Sequence, residues 1–298
     1  MRVALFATGG EIPELALHAL NRVATVVAII RPRPRPGVSG ALRGIARRWL
    51  RGPGPPDSLS RLTMELGIPE WPMAGASDAT LASRMAAARL DLAFLATFPW
   101  PLPVPVIRAP RLGSVNVHAS VLPRHRGPNP WFWTYHADDR EAGVTVHVCE
   151  ARVDRGAILA QARWPLARGH SVKLLHGEVA VRGAALLPEL IANAETILAN
   201  ARPQEHDGAT AAPRVRPDTP MIDPSWPTER TWHFLSGLVG QYQEPLRTAG
   251  RPLRYSRVPG YELAEPRSAP GSVERERGRA SWKLWCGDGF VRLLDDDA

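Results

Sequence analysis

Asn116 and His118 stand two residues apart in the run SVNVH. In a β-strand successive side chains alternate between faces, so this spacing puts an amide and an imidazole on one surface. A buried sheet face would carry apolar groups there, and two polar groups are costly unless they find partners. Further along, Asp154 lies in a turn ahead of Gly156. A carboxylate there could orient the imidazole, raise its pKa and help to take a proton from an amine. The amide and the imidazole could donate hydrogen bonds to an oxyanion. Taken singly, each has a plainer explanation: Asn116 as a turn or edge cap, His118 as a satisfied core histidine, Asp154 as a turn residue. Together they supply what attack by an amine on an activated carbonyl carbon needs, and that chemistry requires no metal.

The surrounding pattern shows how such residues would be positioned. VALFA near the N-terminus reads as a short strand, a Gly turn follows at 8–10, and 12–20 has helical spacing. The β-branched run at 23–30 has the character of a buried parallel strand, so strand, helix and strand form a right-handed βαβ unit. The rhythm resumes with helices near 58–66 and 78–88 and a strand, LDLAFLAT, at 90–97. Further strands are expected at GSVNVH, GVTVHVCE and ILAQARWPL, then a long helical stretch from 171 to about 201. The pattern is an open α/β sheet with an antiparallel-looking end. From about 203 the sequence turns polar and proline-rich, as a linker or crossing segment would. Beyond it, a helix at 227–238 and short strands near 253–255, 271–273, 280–286 and 290–294 suggest a small barrel.

Composition excludes several classes. The hydrophobic fraction of 44% and charged fraction of 22% are those of an ordinary globular chain. No stretch approaches the ~20 apolar residues of a membrane span, and the N-terminal residues lack the features of a signal peptide, so no membrane partner and a cytoplasmic location are expected. Cys149 and Cys286 are too few for a disulfide framework or a cysteine-based zinc site. The turn at Gly9 and Gly10 is not a dinucleotide fingerprint. A net charge of +8 invites a nucleic-acid reading. Yet only Lys173 and Lys283 are lysine among the 37 basic residues, alongside 30 prolines, a bias that a GC-rich genome also produces. Locally, 31–51 carries seven arginines and no acidic residue, with 41–50 able to form a short amphipathic helix.

The segment from Asn116 onward resembles the formyltransferase family that uses 10-formyltetrahydrofolate, whose signature runs Asn-x-His-x-Ser-x-Leu-Pro and continues to an Asp. Asn116, His118, Ser120, Leu122 and Pro123 match it in order; Arg126 and Gly127, the entry Gly143, Val144 and Thr145, and Asp154 with Gly156 follow. The resemblance implies a Rossmann-like formyltransferase domain over 1–202 and, over 203–298, a linker and a small C-terminal β-barrel of OB type. It implies Asn116, His118 and Asp154 as catalytic residues, with a folate formyl donor and an amine acceptor as partners. In the family, folate lies against the loop after the strand preceding these residues. Here that loop is ATFPWPLP, which offers Phe98, Pro99, Trp100, Leu102 and Pro103 and departs from the usual pattern in its extra proline and Trp100.

For the acceptor the sequence points two ways. MIDPSWPTERTWHFL and the later CGDGFVRLL resemble the C-terminal domain of the methionyl-tRNA branch, and 31–51 falls where that branch carries a basic loop for the acceptor arm, making Arg43, Arg47 and Arg126 candidate acceptor contacts. Against this, His147 stands where sugar-amine and hydroxyornithine formyltransferases often have a histidine, and RGPNP replaces the Arg-Gly-Ala-Ala-Pro of the tRNA type. Arg152 and Arg155 flank Asp154 and would either bind an acidic substrate or face solvent. The readings carried forward are a formyltransferase acting on methionyl-tRNA, one acting on a small-molecule amine, and an inactive folate- or RNA-binding protein.

Overall fold

The computed structural model describes residues 1–33, 56–75, 78–216, 222–241, 247–248, 251–252, 255–276 and 281–295. Most of the basic segment, with Arg43, Arg47 and the helix expected at 41–50, lies outside them.

The N-terminal elements alternate as their hydrophobic periods demand. They are β1 (Arg2–Ala7), α1 (Glu11–Val23), β2 (Thr25–Pro32), α2 (Ser58–Glu65), β3 (Glu70–Met73), α3 (Ala79–Ala87), β4 (Leu92–Ala96), α4 (Val104–Ile107), β5 (Ser114–His118), α5 (Pro130–His136), β6 (Glu141–Val148), β7 (Ile158–Pro165), α6 (Val172–Ala192) and α7 (Ala194–Ala199). The sheet order is β3-β2-β1-β4-β5-β6-β7. Pairs from β3 through β5 are parallel, and β6 runs antiparallel to β5. The order reverses direction between β1 and β4, and in such sheets the crevice beyond the carboxyl ends at this switch is where ligands bind.

Several short elements escape the sequence pattern, among them α4, which follows directly on the proline-rich loop. β3, with only four residues and a Pro within it, is too short to register, and PWFWTYH forms α5 with Pro130 in its first turn, a position that needs no backbone donor. The helical stretch expected from 171 to 201 is real but broken at Asn193.

Alternation along the strands assigns each face a partner. Ala4, Phe6, Ala28, Ile30, Ala93 and Leu95 form one apolar layer with Leu81 and Met85 of α3 and with Val106 and Ile107 of α4. Leu95 is the register partner of Asn116, so Asn116 and His118 lie on this face, at the carboxyl edge. The intervening Val117 points to the other face, where a Cβ on Gly183 of α6 would come within 3.1 Å of it. Glycine at 183 therefore lets the helix back lie close on β5 and holds the strand from behind.

Contacts divide the described chain into two units: 1–128, 143–163 and 176–211 in one, 129–142, 164–175 and 212–298 in the other. The second therefore gathers two short stretches from within the first 202 residues, one of them carrying α5, as well as the C-terminal part. Its C-terminal elements are α8 (Thr228–Leu238), the two-residue strands β8 (Arg247–Thr248) and β9 (Arg251–Pro252), then β10 (Arg257–Leu263), β11 (Val273–Arg275), β12 (Ser281–Cys286) and β13 (Gly289–Leu294). The last four form an antiparallel sheet in the order β10-β13-β12-β11. Leu284, Trp285, Phe290 and Val291 are buried in it. Asp288, in the β12–β13 turn, accepts from the backbone N of Thr228 at 2.8 Å and so caps α8, whose Pro227 has no side chain able to do so. Of the strand expected at 253–255, residues 253 and 254 lie outside the described set, and β10 runs from Arg257.

Phe94 is fully buried in β4 between Leu5 and Val115. Phe94→Ala should cost about 3–5 kcal/mol of stability, read as a lowered urea midpoint; a loss below about 1 kcal/mol would contradict this packing.

Candidate active site

β5 delivers Asn116 and His118 together, as their spacing required, and β6 adds a third group. His147 is the antiparallel register partner of Asn116, so the two side chains share a face. The Asn116 amide Nδ2 lies 3.2 Å from His147 Nε2 and 3.4 Å from Asp154 Oδ1. Asp154 reaches the same place from the turn after β6, with Oδ2 3.8 Å from His118 Nδ1 and Oδ1 3.5 Å from His147 Nε2. His118, His147 and Asp154 are all buried. The site is thus a ring of four groups, with the carboxylate facing two imidazoles and an amide. From the sequence His147 reads only as a mark of acceptor type. Its place in the ring depends on the β5/β6 register, which sequence spacing does not reveal.

Two backbone features fix the ring. Asp154 has φ 54°, in the left-handed region, which Asp tolerates better than most residues. Gly156 must be glycine, because a Cβ there would lie 1.9 Å from the Val148 carbonyl oxygen. The turn therefore packs directly on the end of β6. From the opposite side the backbone N of Gly127 donates to Asp154 Oδ2 at 2.9 Å. Burial alone would raise the Asp154 pKa, but the His147 contact and the Gly127 N–H oppose it, and the carboxyl is held below its ordinary value.

For His118 the balance goes the other way. Burial depresses its pKa below 6.5, and the attraction of Asp154 only partly offsets this. The expectation that Asp154 would raise the histidine is therefore corrected: desolvation is the larger effect. The tautomer is also set, since His118 Nε2 lies 2.9 Å from the His125 carbonyl oxygen and must donate to it. A neutral His118 thus turns an unprotonated Nδ1 toward Asp154 and the site. His147 Nδ1 likewise donates to the Val148 carbonyl at 2.9 Å.

The loop after Leu122 is braced from beneath. Thr145 Oγ1 donates to the Ser120 carbonyl at 2.7 Å and accepts from the backbone N of Leu122 and from Gln161. Arg126, a candidate acceptor contact, turns its guanidinium to Gln204 Oε1, with Nε at 2.9 Å and Nη2 at 2.8 Å. Arg152 and Arg155 are exposed on either side of the buried Asp154.

The loop carrying Phe98, Pro99, Trp100, Leu102 and Pro103 leaves the carboxyl end of β4, beside β5, and so opens on the same edge as Asn116 and His118. Phe98 packs edge-on against Phe6 at 5.3 Å and against Trp100 at 5.9 Å, while Leu102 is buried in the layer beneath. Thr8 Oγ1 donates to the Thr97 carbonyl at 2.7 Å and ties the loops after β1 and β4 together at the switch point. Among the described residues no cluster of three or more His, Cys, Asp or Glu is placed to hold a metal ion, and no helix is long and apolar enough to cross a membrane.

A Rossmann-like sheet with this polar ring at its carboxyl edge is the setting of a group-transfer enzyme, and the chain belongs to the formyltransferase family. The formyl transferase family model matches residues 47–191. Methionyl-tRNA formyltransferase of Paracoccus denitrificans (strain Pd 1222) is 31% identical over 298 residues, covering 99% of this chain and 92% of its own. The enzyme of the same name from Synechococcus sp. (strain JA-3-3Ab) is 30% identical over 285 residues, covering 92% and 83%. Among solved structures, the sugar 3N-formyltransferase WlaRD, crystallised with dTDP and 5-N-formyl-THF, superposes with a TM-score of 0.65 over 99% of this chain and 97% of its own at 15% identity, a likeness of fold.

The depressed His118 pKa has a consequence for stability. Below 6.5 the unfolded chain takes up a proton that the folded site resists, so stability present at neutral pH is lost as pH falls through the folded value. His118→Gln should flatten the acid side of the stability profile by up to about 1.4 kcal/mol per pH unit, measured by urea denaturation between pH 7 and pH 5. An unchanged slope would contradict a neutral buried His118.

Proposed function

We propose that this formyltransferase moves the formyl group of 10-formyltetrahydrofolate to the amino group of methionyl-tRNA, with Asn116, His118 and Asp154 as its catalytic residues. The observation that carries the acceptor is full-length identity of 30% and above to methionyl-tRNA formyltransferases, through the C-terminal unit as well as the sheet. In this reading residues 1–202 do the chemistry. Residues 203–298 form the linker and a small barrel around the four-stranded sheet and help to hold the acceptor, together with Arg43 and Arg47. Bound against Phe98, Pro99, Trp100, Leu102 and Pro103, the folate supplies the activated formyl carbon.

The residues divide the work by their proton states. Asn116 turns an amide hydrogen from its longer contact, 3.4 Å to Asp154, toward the formyl oxygen and stabilises the charge that develops there. His118 takes the proton of the attacking amine on Nδ1, which its bond to His125 leaves unprotonated. Asp154, held as a carboxylate, stabilises the imidazolium so formed and lets the same proton pass to the departing folate nitrogen. The protonated His118 that donates to the oxyanion is therefore generated during turnover and is absent from the resting site.

His147 favours a second reading, with a small-molecule primary amine such as a nucleotide-linked amino sugar or a hydroxyornithine-type amine as acceptor. It closes the ring on the side of Asn116 and Asp154, and Arg152 and Arg155 stand beside the turn.

Asp154→Asn and His118→Ala should each lower kcat by about 10²- to 10⁴-fold with the thermal unfolding transition still cooperative. Full activity in either would sink the assignment. Incubation with 10-formyltetrahydrofolate and either methionyl-tRNA or a panel of amino sugars and hydroxyornithine separates the acceptors: formylation of small amines alone would reject the tRNA reading.

A further inference from the structure

The polar stretch after α7, which the sequence presents as a linker, runs through the machinery of the site. Gln204 Nε2 donates to the carbonyl oxygens of Asp154 at 3.0 Å and Gly156 at 2.8 Å, the two that flank Arg155 in the left-handed turn. Its Oε1 takes two hydrogen bonds from the Arg126 guanidinium, at 2.9 and 2.8 Å. One side-chain amide thus ties the turn that carries Asp154 to the loop whose next residue, Gly127, donates to the Asp154 carboxylate. Six residues on, Thr210 holds the same loop. Its carbonyl accepts from the backbone N of Arg126 at 2.9 Å and its Oγ1 from the backbone N of His125 at 2.8 Å. His125 is the residue whose carbonyl fixes the tautomer of His118, and it too lies in the left-handed region, at φ 59°.

We propose that Gln204 is a positioning residue for the transfer reaction, holding the Asp154 turn against the Arg126–Gly127 loop so that the carboxylate faces the two histidines. Left-handed non-glycine turns persist where their surroundings over-determine them, and here the two ends of one glutamine side chain join the Gly156 packing and the Gly127 N–H in doing so. Gln204 touches no reacting group in this arrangement; it acts through the Asp154 backbone. The donor wall at 98–103 leaves the sheet from β4, whereas Gln204 bonds to the turn between β6 and β7 and to Arg126. Misplacement of the carboxylate should therefore appear in turnover and leave donor affinity alone. The inference rests on the reading of Asp154 as a catalytic group.

Two substitutions separate the halves of the amide. Gln204→Ala removes both. Gln204→Glu keeps an acceptor for Arg126, which favours folding, but turns a carboxylate toward two carbonyl oxygens that need donors. Steady-state kinetics of the full chain with formyl donor and acceptor should show kcat lowered by about 10- to 100-fold in both variants, with KM for the donor within about twofold of wild type. Thermal melts run alongside report any loss of fold, and activity is expressed per folded molecule. Wild-type kcat in Gln204→Glu, or an effect confined to KM or to melting temperature, would overturn the proposal. Asp154→Asn distinguishes the two failures. If it is inactive while both Gln204 variants match wild type, only the role of Gln204 falls; if it is itself fully active, the reading of Asp154 falls.

Discussion

A buried carboxylate is the constraint around which the rest of the site is arranged. Removing a charge from water costs several kcal/mol unless partners are supplied in good geometry, and Asp154 is supplied with them: the Gly127 N–H at 2.9 Å, the Asn116 amide at 3.4 Å and His147 at 3.5 Å. These contacts keep it charged despite burial. The same burial keeps His118 neutral. A carboxylate and a neutral imidazole set side by side in this way are ready for a proton to arrive, and only its arrival turns them into an ion pair.

The fold meets that constraint with edges and turns. Parallel β4 and β5 end at one edge, where the donor loop and the Asn116–His118 pair emerge side by side, and antiparallel β6 brings His147 opposite Asn116. Close backbone approach at Gly156 and Gly183 presses the Asp154 turn onto β6 and α6 onto the back of β5. The crossing segment at 204–210 then ties the two loops that carry the remaining contacts. None of these devices is chemical, yet each sets a distance on which the chemistry depends.

What can be read from the sequence follows from how local each signal is. Asn116 and His118 declare themselves because strand alternation converts a spacing of two into a shared face. Asp154 with Gly156 is legible as a turn and gains meaning from the formyltransferase motif around it. The strands β1, β2, β4 and β5 follow from alternating strand and helix periods, while β3 does not. Less local facts stay hidden. The place of His147 depends on a strand register, and the bonds of Gln204 span 48 to 78 residues from a stretch whose composition resembles a linker. Arg126, expected at the acceptor, is turned to Gln204 by the same long-range contact. The direction of the His118 shift escapes a reading of the sequence, which displays the charge of Asp154 but not the depth of burial, and burial is the stronger influence here.

The second unit shows the same limit. α5 begins on a proline within an aromatic run that carries no clear helical period, and α8 takes its cap from Asp288, 60 residues away in sequence. Such contacts organise a unit without leaving a local mark.

The resting proton state of His118 tests the central claim most directly. Nitrogen-15 NMR of the imidazole at neutral pH should show a neutral ring protonated at Nε2, as its bond to the His125 carbonyl and its burial require. An imidazolium at neutral pH, or a neutral ring protonated at Nδ1, would contradict it.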